Sequence, residues 1–353
     1  MDAYLNREAL RVAVSQCARV KRVTANAGAD YLRVRAANGR ITVTGVSNIS
    51  RLSIDVAPAQ VAASGEVYLH ASDLHKVLAT QPDDTVRLDQ HGKRCRIISG
   101  RATTTLKCLD PNEWPGLDAD EVPVSVPVAA GELAAALKAV AIAADGKEAF
   151  GWKGSVRLRT QGDHLLLLAS SGVRLASTRL RRVGQGGSLD VLVSVIQAGE
   201  LAAALAGVEA TAELGASDRW WRCAVDGVTY DGLAIDDEQP DLGSLAQQAS
   251  NNPVSVGRVA LLDAVNRAAK VKPFGFKVVL DGDEVQADGD FGAYREALAM
   301  DAPLQRTGLP VLQVTDALKA MDGDTVRLHR LDKHMRLDDG GHDVHCIAVI
   351  PGA

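Results

Sequence analysis

A repeat of domain size constrains this fold more than any single motif. Asp84–Ile97 reads DTVRLDQHGKRCRI and Asp324–Leu337 reads DTVRLHRLDKHMRL. Both carry D-T-V-R-L, then a lysine and an arginine at matched offsets. Ala210–Cys223, ATAELGASDRWWRC, keeps Thr211, Leu214, Arg219 and Arg222 in the same register. The copies lie 126 and 114 residues apart in a chain of 353, so the repeating unit is about a third of the chain and has the size of a domain. Within each copy, apolar alternation flanks a turn stretch such as DQHGK or LGASD, the pattern of strand, turn and strand.

Each copy follows a short helical stretch: ASDLHKVL, AGELAAAL and VTDALKAM, with an acid near the start where it suits the helix dipole. Each third also opens with a longer amphipathic stretch: NREALRVAVSQCARV, AAGELAAALKAVAIAA and VGRVALLDAVNRAAKV. Between the two helices run alternating segments such as YLRVRAANGRITVTG, where Asn38-Gly39 signals a hairpin turn. The expectation is an α+β protein of three like domains, each with two helices packed on antiparallel sheet. Turn-rich PNEWPGLDADEVP and QQASNNP place the boundaries at 1–118, 119–250 and 251–353.

Hydrophobic residues make up 46% of the chain and charged ones 24%, which is a globular mixture rather than a disordered one. No apolar run has the length of a membrane span, and MDAYLNREAL lacks the apolar core of a signal peptide, so a cytoplasmic protein is expected. The cysteines, Cys17, Cys95, Cys108, Cys223 and Cys346, are scattered and odd in number, as reduced thiols are. No Walker A sequence, nucleophile elbow or dinucleotide fingerprint occurs, so no enzyme and no cofactor are expected. HDVHC at 342–346 alternates like a strand, which sends His342 and His345 to opposite faces and argues against a metal. DGDEVQADGD at 281–290 reads as hairpin turns rather than a calcium loop. One of Trp220 and Trp221 reads as core.

Net charge is −5, so only a local concentration of base could serve a nucleic acid. Residues 7–22 carry Arg7, Arg11, Arg19, Lys21 and Arg22 against Glu8. At helical spacing Arg7, Arg11 and Arg22 fall on one stripe, beside an apolar stripe of Leu10, Ala13 and Cys17. In the equivalent helix of the last third, Arg267 and Lys270 project opposite Leu261, Val265 and Ala268. Each stripe alone reads as a solvated face. Recurring in an acidic chain, the pair reads as a surface that tracks phosphates without reading sequence.

One stretch remains: LLLLASSGVRLAS at 165–177, where Arg174 stands between Val173 and Leu175 in a run that otherwise reads as buried strand. Together with three equal α+β domains, TGVSNISRL after the first hairpin, P-x-x-W-P at 111–115 and a C-terminus reading I-A-V-I-P, this turn resembles the bacterial DNA polymerase sliding clamp family, the β subunit of DNA polymerase III. The resemblance covers the whole chain and is divergent. It implies a non-catalytic processivity factor: a head-to-tail homodimer of six domains, with helices lining a hole for duplex DNA and acidic strands outside. Its partners would be DNA polymerase, the clamp loader and other proteins with a clamp-binding peptide.

Carried over position by position, the resemblance implies a peptide pocket of Lys153, Ser170, Gly172, Val173, Arg174, Leu175, Pro240, Leu245, Val349, Ile350 and Pro351. It adds Lys147 and Trp152 to Arg7, Arg11, Arg22, Arg267 and Lys270 as DNA-facing residues. The chain departs from the family pattern at Lys153, where an aliphatic pocket wall is usual, at Val173, where histidine is usual, and at Gly151, where tyrosine is usual. A second reading is a clamp-like paralogue, mobile-element or accessory, that works as an interaction or inhibitory module without supporting replication.

Overall fold

The computed structural model describes residues 1–20, 27–117, 122–123, 125–148, 150–271, 277–289, 292–341 and 343–349. In chain order the first third holds β1 (Asp2–Asn6), α1 (Arg7–Cys17), β2 (Tyr31–Ala37), β3 (Arg40–Val46), β4 (Ser50–Val56), β5 (Pro58–Ala63), β6 (Gly65–His70), α2 (Ala71–Thr80), β7 (Thr85–His91), β8 (Arg94–Ser99) and β9 (Ala102–Lys107). The middle third holds β10 (Val126–Ala129), α3 (Ala130–Ala141), β11 (Ser155–Gln161), β12 (His164–Ser170), β13 (Arg174–Arg181), β14 (Asp190–Ser194), α4 (Val195–Ala204), β15 (Thr211–Ala216), β16 (Trp220–Val225) and β17 (Val228–Leu233). After α5 (Gly243–Gln247) come β18 (Val254–Gly257), α6 (Arg258–Ala268), β19 (Lys277–Gly282), β20 (Glu284–Gly289), β21 (Gly292–Ala297), β22 (Leu304–Pro310), α7 (Val311–Ala320), β23 (Thr325–Arg330), β24 (His334–Asp338) and β25 (Val344–Ala348). The chain is α+β, and its strand pairings are antiparallel.

The repeat read from the sequence is present in the backbone. Its copies are the hairpins β7–β8, β15–β16 and β23–β24, each preceded by a short helix, α2, α4 or α7. The same backbone hydrogen bond recurs in all three: Arg7 donates to the Asp84 carbonyl (2.7 Å), Ala130 to Ala210 (2.9 Å) and Arg258 to Asp324 (2.8 Å). The outer copies add a side-chain staple. Arg7 Nη1 donates to the Leu78 carbonyl (3.3 Å), and Arg258 Nη1 and Nε donate to the carbonyls of Leu318 (3.0 Å) and Gly323 (2.6 Å). A guanidinium thereby satisfies carbonyls at and beyond the end of the neighbouring helix, where no helical partner remains. The middle copy has Ala130 at this position and lacks the staple.

Two compact units divide the chain. The first comprises 1–131, 183–189 and 200–234. It contains a five-stranded sheet, β5-β1-β7-β8-β9, and an eight-stranded one, β10-β15-β16-β17-β4-β3-β2-β6. Asn6 caps α1 by accepting from the Ala9 amide (2.9 Å), and Leu10, Ala13, Val14 and Cys17 bury its inner face. The helix end lies so close to β3 that a Cβ on Gly45 would run into the Cys17 carbonyl, so only glycine fits. Repeat meets repeat in this unit at β4 and β17, where Arg51 sits opposite Asp231. Asp231 is fully buried and takes Arg51 (2.6 Å) and Arg222 (2.6 Å); on the other face of the sheet Glu200 accepts from Ser50 (2.8 Å) and Tyr230 (2.7 Å). Both Trp220 and Trp221 are buried.

The second unit comprises 132–182, 190–199 and 235–353. Its sheets are β14-β11-β12-β13-β25-β24-β23-β18 and β21-β20-β19-β22. Leu261, Ala264, Val265 and Ala268 of α6 pack with Val314, Ala317 and Leu318 of α7 over Val278, Leu280 and Val285. The acidic stretch from Asp281 onward begins as the β19–β20 hairpin, with Asp281 opposite Glu284. Here repeat meets repeat at β13 and β25, where Arg174 pairs with Ile347 and Leu175 with Cys346. All five cysteines are free thiols and buried.

Candidate functional site

Strand alternation explains why an arginine follows Val173. Leu175 and Cys346 share one face of the β13–β25 pair, while Arg174 points to the other and meets Asp316 of α7 at 3.0 Å. His345, paired with Ala176, is buried near it; burial, with the Arg174 charge behind it, pushes His345 down to about 4 and keeps it neutral. Between them these groups anchor β13 and leave Leu175 to the opposite face.

On that apolar face lies an open cleft of about 660 Å³. Leu175 and Cys346 form its floor, with Leu242 and Leu245 from the segment leading into and through α5 on one side. Leu331, Asp332 and Lys333 in the β23–β24 turn, with His334 at the start of β24, stand on the other. Arg336 holds α5 in place by donating to the carbonyls of Gln247 (3.4 Å) and Gln248 (3.0 Å). The Ser170–Arg174 turn closes one end. Ser170 Oγ donates to the Arg174 carbonyl (2.8 Å) and accepts from the Gly172 amide (3.1 Å). This compact loop puts Gly172 at φ +88° and leaves Val173 55% exposed at the rim. Burial pushes the Cys346 thiol up to about 12, so the floor is an inert small hydrophobe. Burial, with Arg330 nearby, also lowers the His334 imidazole, whose Nε2 is buried without a partner among the described residues. An extended peptide with apolar side chains suits such a groove, which offers apolar floor, a backbone rim and few polar anchors.

Of the residues the sequence assigned to a pocket, Ser170, Gly172, Val173, Arg174, Leu175 and Leu245 line this cleft. Lys153 stands at its mouth: its Cε would be 3.9 Å from a Cβ on Gly172, its ammonium is 5.9 Å from the Trp152 ring, and Glu148 draws it aside at 3.7 Å. Pro240 instead lines a separate groove with Arg157 and Leu168. Val349 packs against the core of the unit and donates to the Lys333 carbonyl (3.0 Å). Ile350 and Pro351 lie outside the described residues. The sequence reading missed Leu242, Leu331, His334 and Cys346, which reach the cleft only through strand pairing.

The residues assigned to DNA are distributed differently. Arg7 is half-buried in its staple and lies 3.6 Å from Asp84. Arg11 is held by Glu8 through two hydrogen bonds (2.5 and 2.8 Å), and Arg267 by Glu296 in the same way (2.6 and 2.9 Å). Lys147 and Lys270 are exposed, and among the described residues neither side chain has a partner. Trp152 lines the cleft rather than a helix face. Arg22 lies outside the described residues. The solvent side of α1 is therefore Glu8, Ala9 and Val12, and that of α6 is Val259, Ala260, Asp263, Asn266 and Arg267.

No family model matches the sequence. Solved structures do resemble the chain over its full length. The DNA polymerase III subunit beta of Pseudomonas aeruginosa is 18% identical with a TM-score of 0.90, covering 99% of this chain and 100% of that one. The DNA polymerase sliding clamp of Bacillus subtilis is 18% identical with a TM-score of 0.89, covering 100% of both chains. The DNA polymerase III beta subunit of Thermotoga maritima is 16% identical with a TM-score of 0.88, again over 100% of both. The chain has the sliding-clamp fold. No helix among the described residues is long and apolar enough to cross a membrane.

Proposed function

We propose that this chain, with the fold of the bacterial β clamp, is a divergent DNA sliding clamp: a non-catalytic, cytoplasmic ring that encircles duplex DNA and tethers a DNA polymerase for processive replication. The observation that carries this reading is the full-length likeness to solved clamps at TM-scores near 0.9, joined to an apolar cleft at the S-S-G-V-R-L turn. Three domains, 1–118, 119–250 and 251–353, would double to six in a head-to-tail homodimer, so that each chain's terminal sheet edges are covered by the other chain. The cleft would receive the apolar peptide of the polymerase, the clamp loader and other partners. Arg22, Lys147, Lys270 and the paired Arg11 and Arg267 would supply a weak, sequence-independent hold on phosphates.

Solution mass tests the ring: a dimer is expected at micromolar concentration, and a monomer alone counts against it. Reversing Arg22 and Lys270 to Glu should weaken DNA association and flatten its salt dependence, whereas unchanged binding at low salt removes the DNA-facing assignment.

One observation favours the paralogue reading. Arg7, Arg11 and Arg267 are engaged within the chain, and Glu8 and Asp263 share the solvent sides of their helices. An interaction module of clamp fold needs no stronger base than that. It would bind peptide in the cleft and fail to hold DNA.

A further inference from the structure

The solvent face of the sheet beside the cleft carries a concentration of arginine that the cleft does not use. In β11, Val156 and Leu158 turn to the core while Arg157 and Arg159 leave on the opposite face. The register sets Arg159 opposite Leu166 of β12 and Leu166 opposite Arg179 of β13, so Arg179 and Arg181 emerge on that same face. Arg179 lies level with Arg159 and Arg181 level with Gln161, so the four guanidiniums occupy a patch about 14 Å along the strands and about 10 Å across them. Asp190, opposite Arg159 on β14, answers two of them, at 2.7 Å to Arg157 and 3.6 Å to Arg159. Arg179 and Arg181 are exposed, and among the described residues their side chains have no ion-pair or hydrogen-bond partner. Glu132, Asp322, Asp339 and Asp343 border the same groove as these two arginines.

Gathering like charge on one sheet face costs stability unless a partner answers it. The face also departs from the acidic exterior expected of a clamp. We propose that the β11–β13 face is a docking surface for an extended acidic segment of a partner protein. Charge complementarity carries the choice of occupant. Arginine's planar fork suits carboxylate oxygens in bidentate pairs. Carboxylates at alternate positions of an extended chain recur about every 7 Å, which matches the spacing of arginines along each strand. Single-stranded nucleic acid fits less well, because β11, β12 and β13 hold no Phe, Tyr or Trp on which a base could stack. The proposal goes beyond the clamp reading and does not depend on the cleft.

The test uses the full chain and a fluorescent decapeptide of alternating Glu and Ser, with the Gln-Ser decapeptide and a deoxyoligonucleotide of ten thymidines as comparators. At low salt the Glu-Ser probe should bind about tenfold or more tightly than its Gln-Ser counterpart, and its affinity should fall as salt rises. The double variant R179E/R181E should lose at least about tenfold of that affinity, and the milder R179Q/R181Q a smaller share, with circular dichroism unchanged. Equal binding of Glu-Ser and Gln-Ser, or undiminished binding by both variants, overturns the proposal. So does an oligonucleotide that displaces the acidic probe at the lower concentration, since that identifies a phosphate surface.

Discussion

The two places where successive repeats join into one sheet have the same backbone and opposite side chains. At β4–β17 the seam is closed by charge: Asp231 is fully buried between Arg51 and Arg222, and Glu200 is held by Ser50 and Tyr230. At β13–β25 the seam is neutral on its outer face, with Leu175 and Cys346 as floor, and it opens as a cleft of about 660 Å³. Antiparallel pairing satisfies the backbone in both. What differs is whether the polar groups are spent inside the joint or pushed to its far side, as Arg174 is toward Asp316. A sealed joint gives stability, whereas an apolar one leaves surface for a ligand.

The contrast is sharpest if each seam is broken in its own way. The largest effect should come from Asp231→Ala, which strands two half-buried guanidiniums; a loss of about 3–5 kcal/mol is expected in urea unfolding, and a change under about 1 kcal/mol would mean the seam is not ionic. Acid should act on the other seam. His345 is held near 4 in the folded chain against an ordinary 6.5, so the unfolded chain binds the extra proton between those values. Its contribution is complete above pH 6.5 and declines as pH falls toward 4, by up to about 3 kcal/mol. His329 and His334, also lowered by burial, add to the same slope, and neither β4 nor β17 contains a histidine. Unfolding midpoints at pH 7 and pH 5 check this, and a flat profile refutes it.

A smaller effect concerns the cleft itself. Lys153→Leu should strengthen binding of a glutamine- and leucine-rich clamp-binding peptide by about 1–2 kcal/mol, through apolar contact at the mouth. Calorimetric titration of wild type and variant reads it, and identical affinities would place the peptide away from Lys153. The smallest effect is that of Asp316→Asn, which removes a half-exposed partner from Arg174 and should cost about 1 kcal/mol or less. A larger loss would show that the neutral seam also depends on charge.

The repeat was legible because hairpins and amphipathic helices write their periods locally, and the recurring Arg7, Ala130 and Arg258 hydrogen bonds fall where the aligned copies put them. The turn at Ser170–Arg174 was legible for the same reason. Leu242, Leu331 and Cys346 were not, because they meet only through strand registers remote in sequence. The partners of Arg7, Arg11 and Arg267 were hidden for a related reason: a helical stripe displays charge but not the carbonyl or carboxylate that it meets. The octapeptide AGELAAAL makes the limit plain. It occurs at 130–137 and at 198–205, yet Glu132 is exposed while Glu200 is buried against Tyr230 and Ser50. Identical local sequence has opposite fates, decided by what packs on it.

The division of the middle repeat between two compact units has a consequence for how the molecule comes apart. Strands β10 and β15–β17 belong with the first repeat, and β11–β14 with the last. Cooperative opening follows such units rather than stretches of sequence. The amides of the middle third should then exchange with solvent deuterium as two populations, each keeping the rhythm of a different neighbour, so that the smallest piece able to open and close on its own is one and a half repeats.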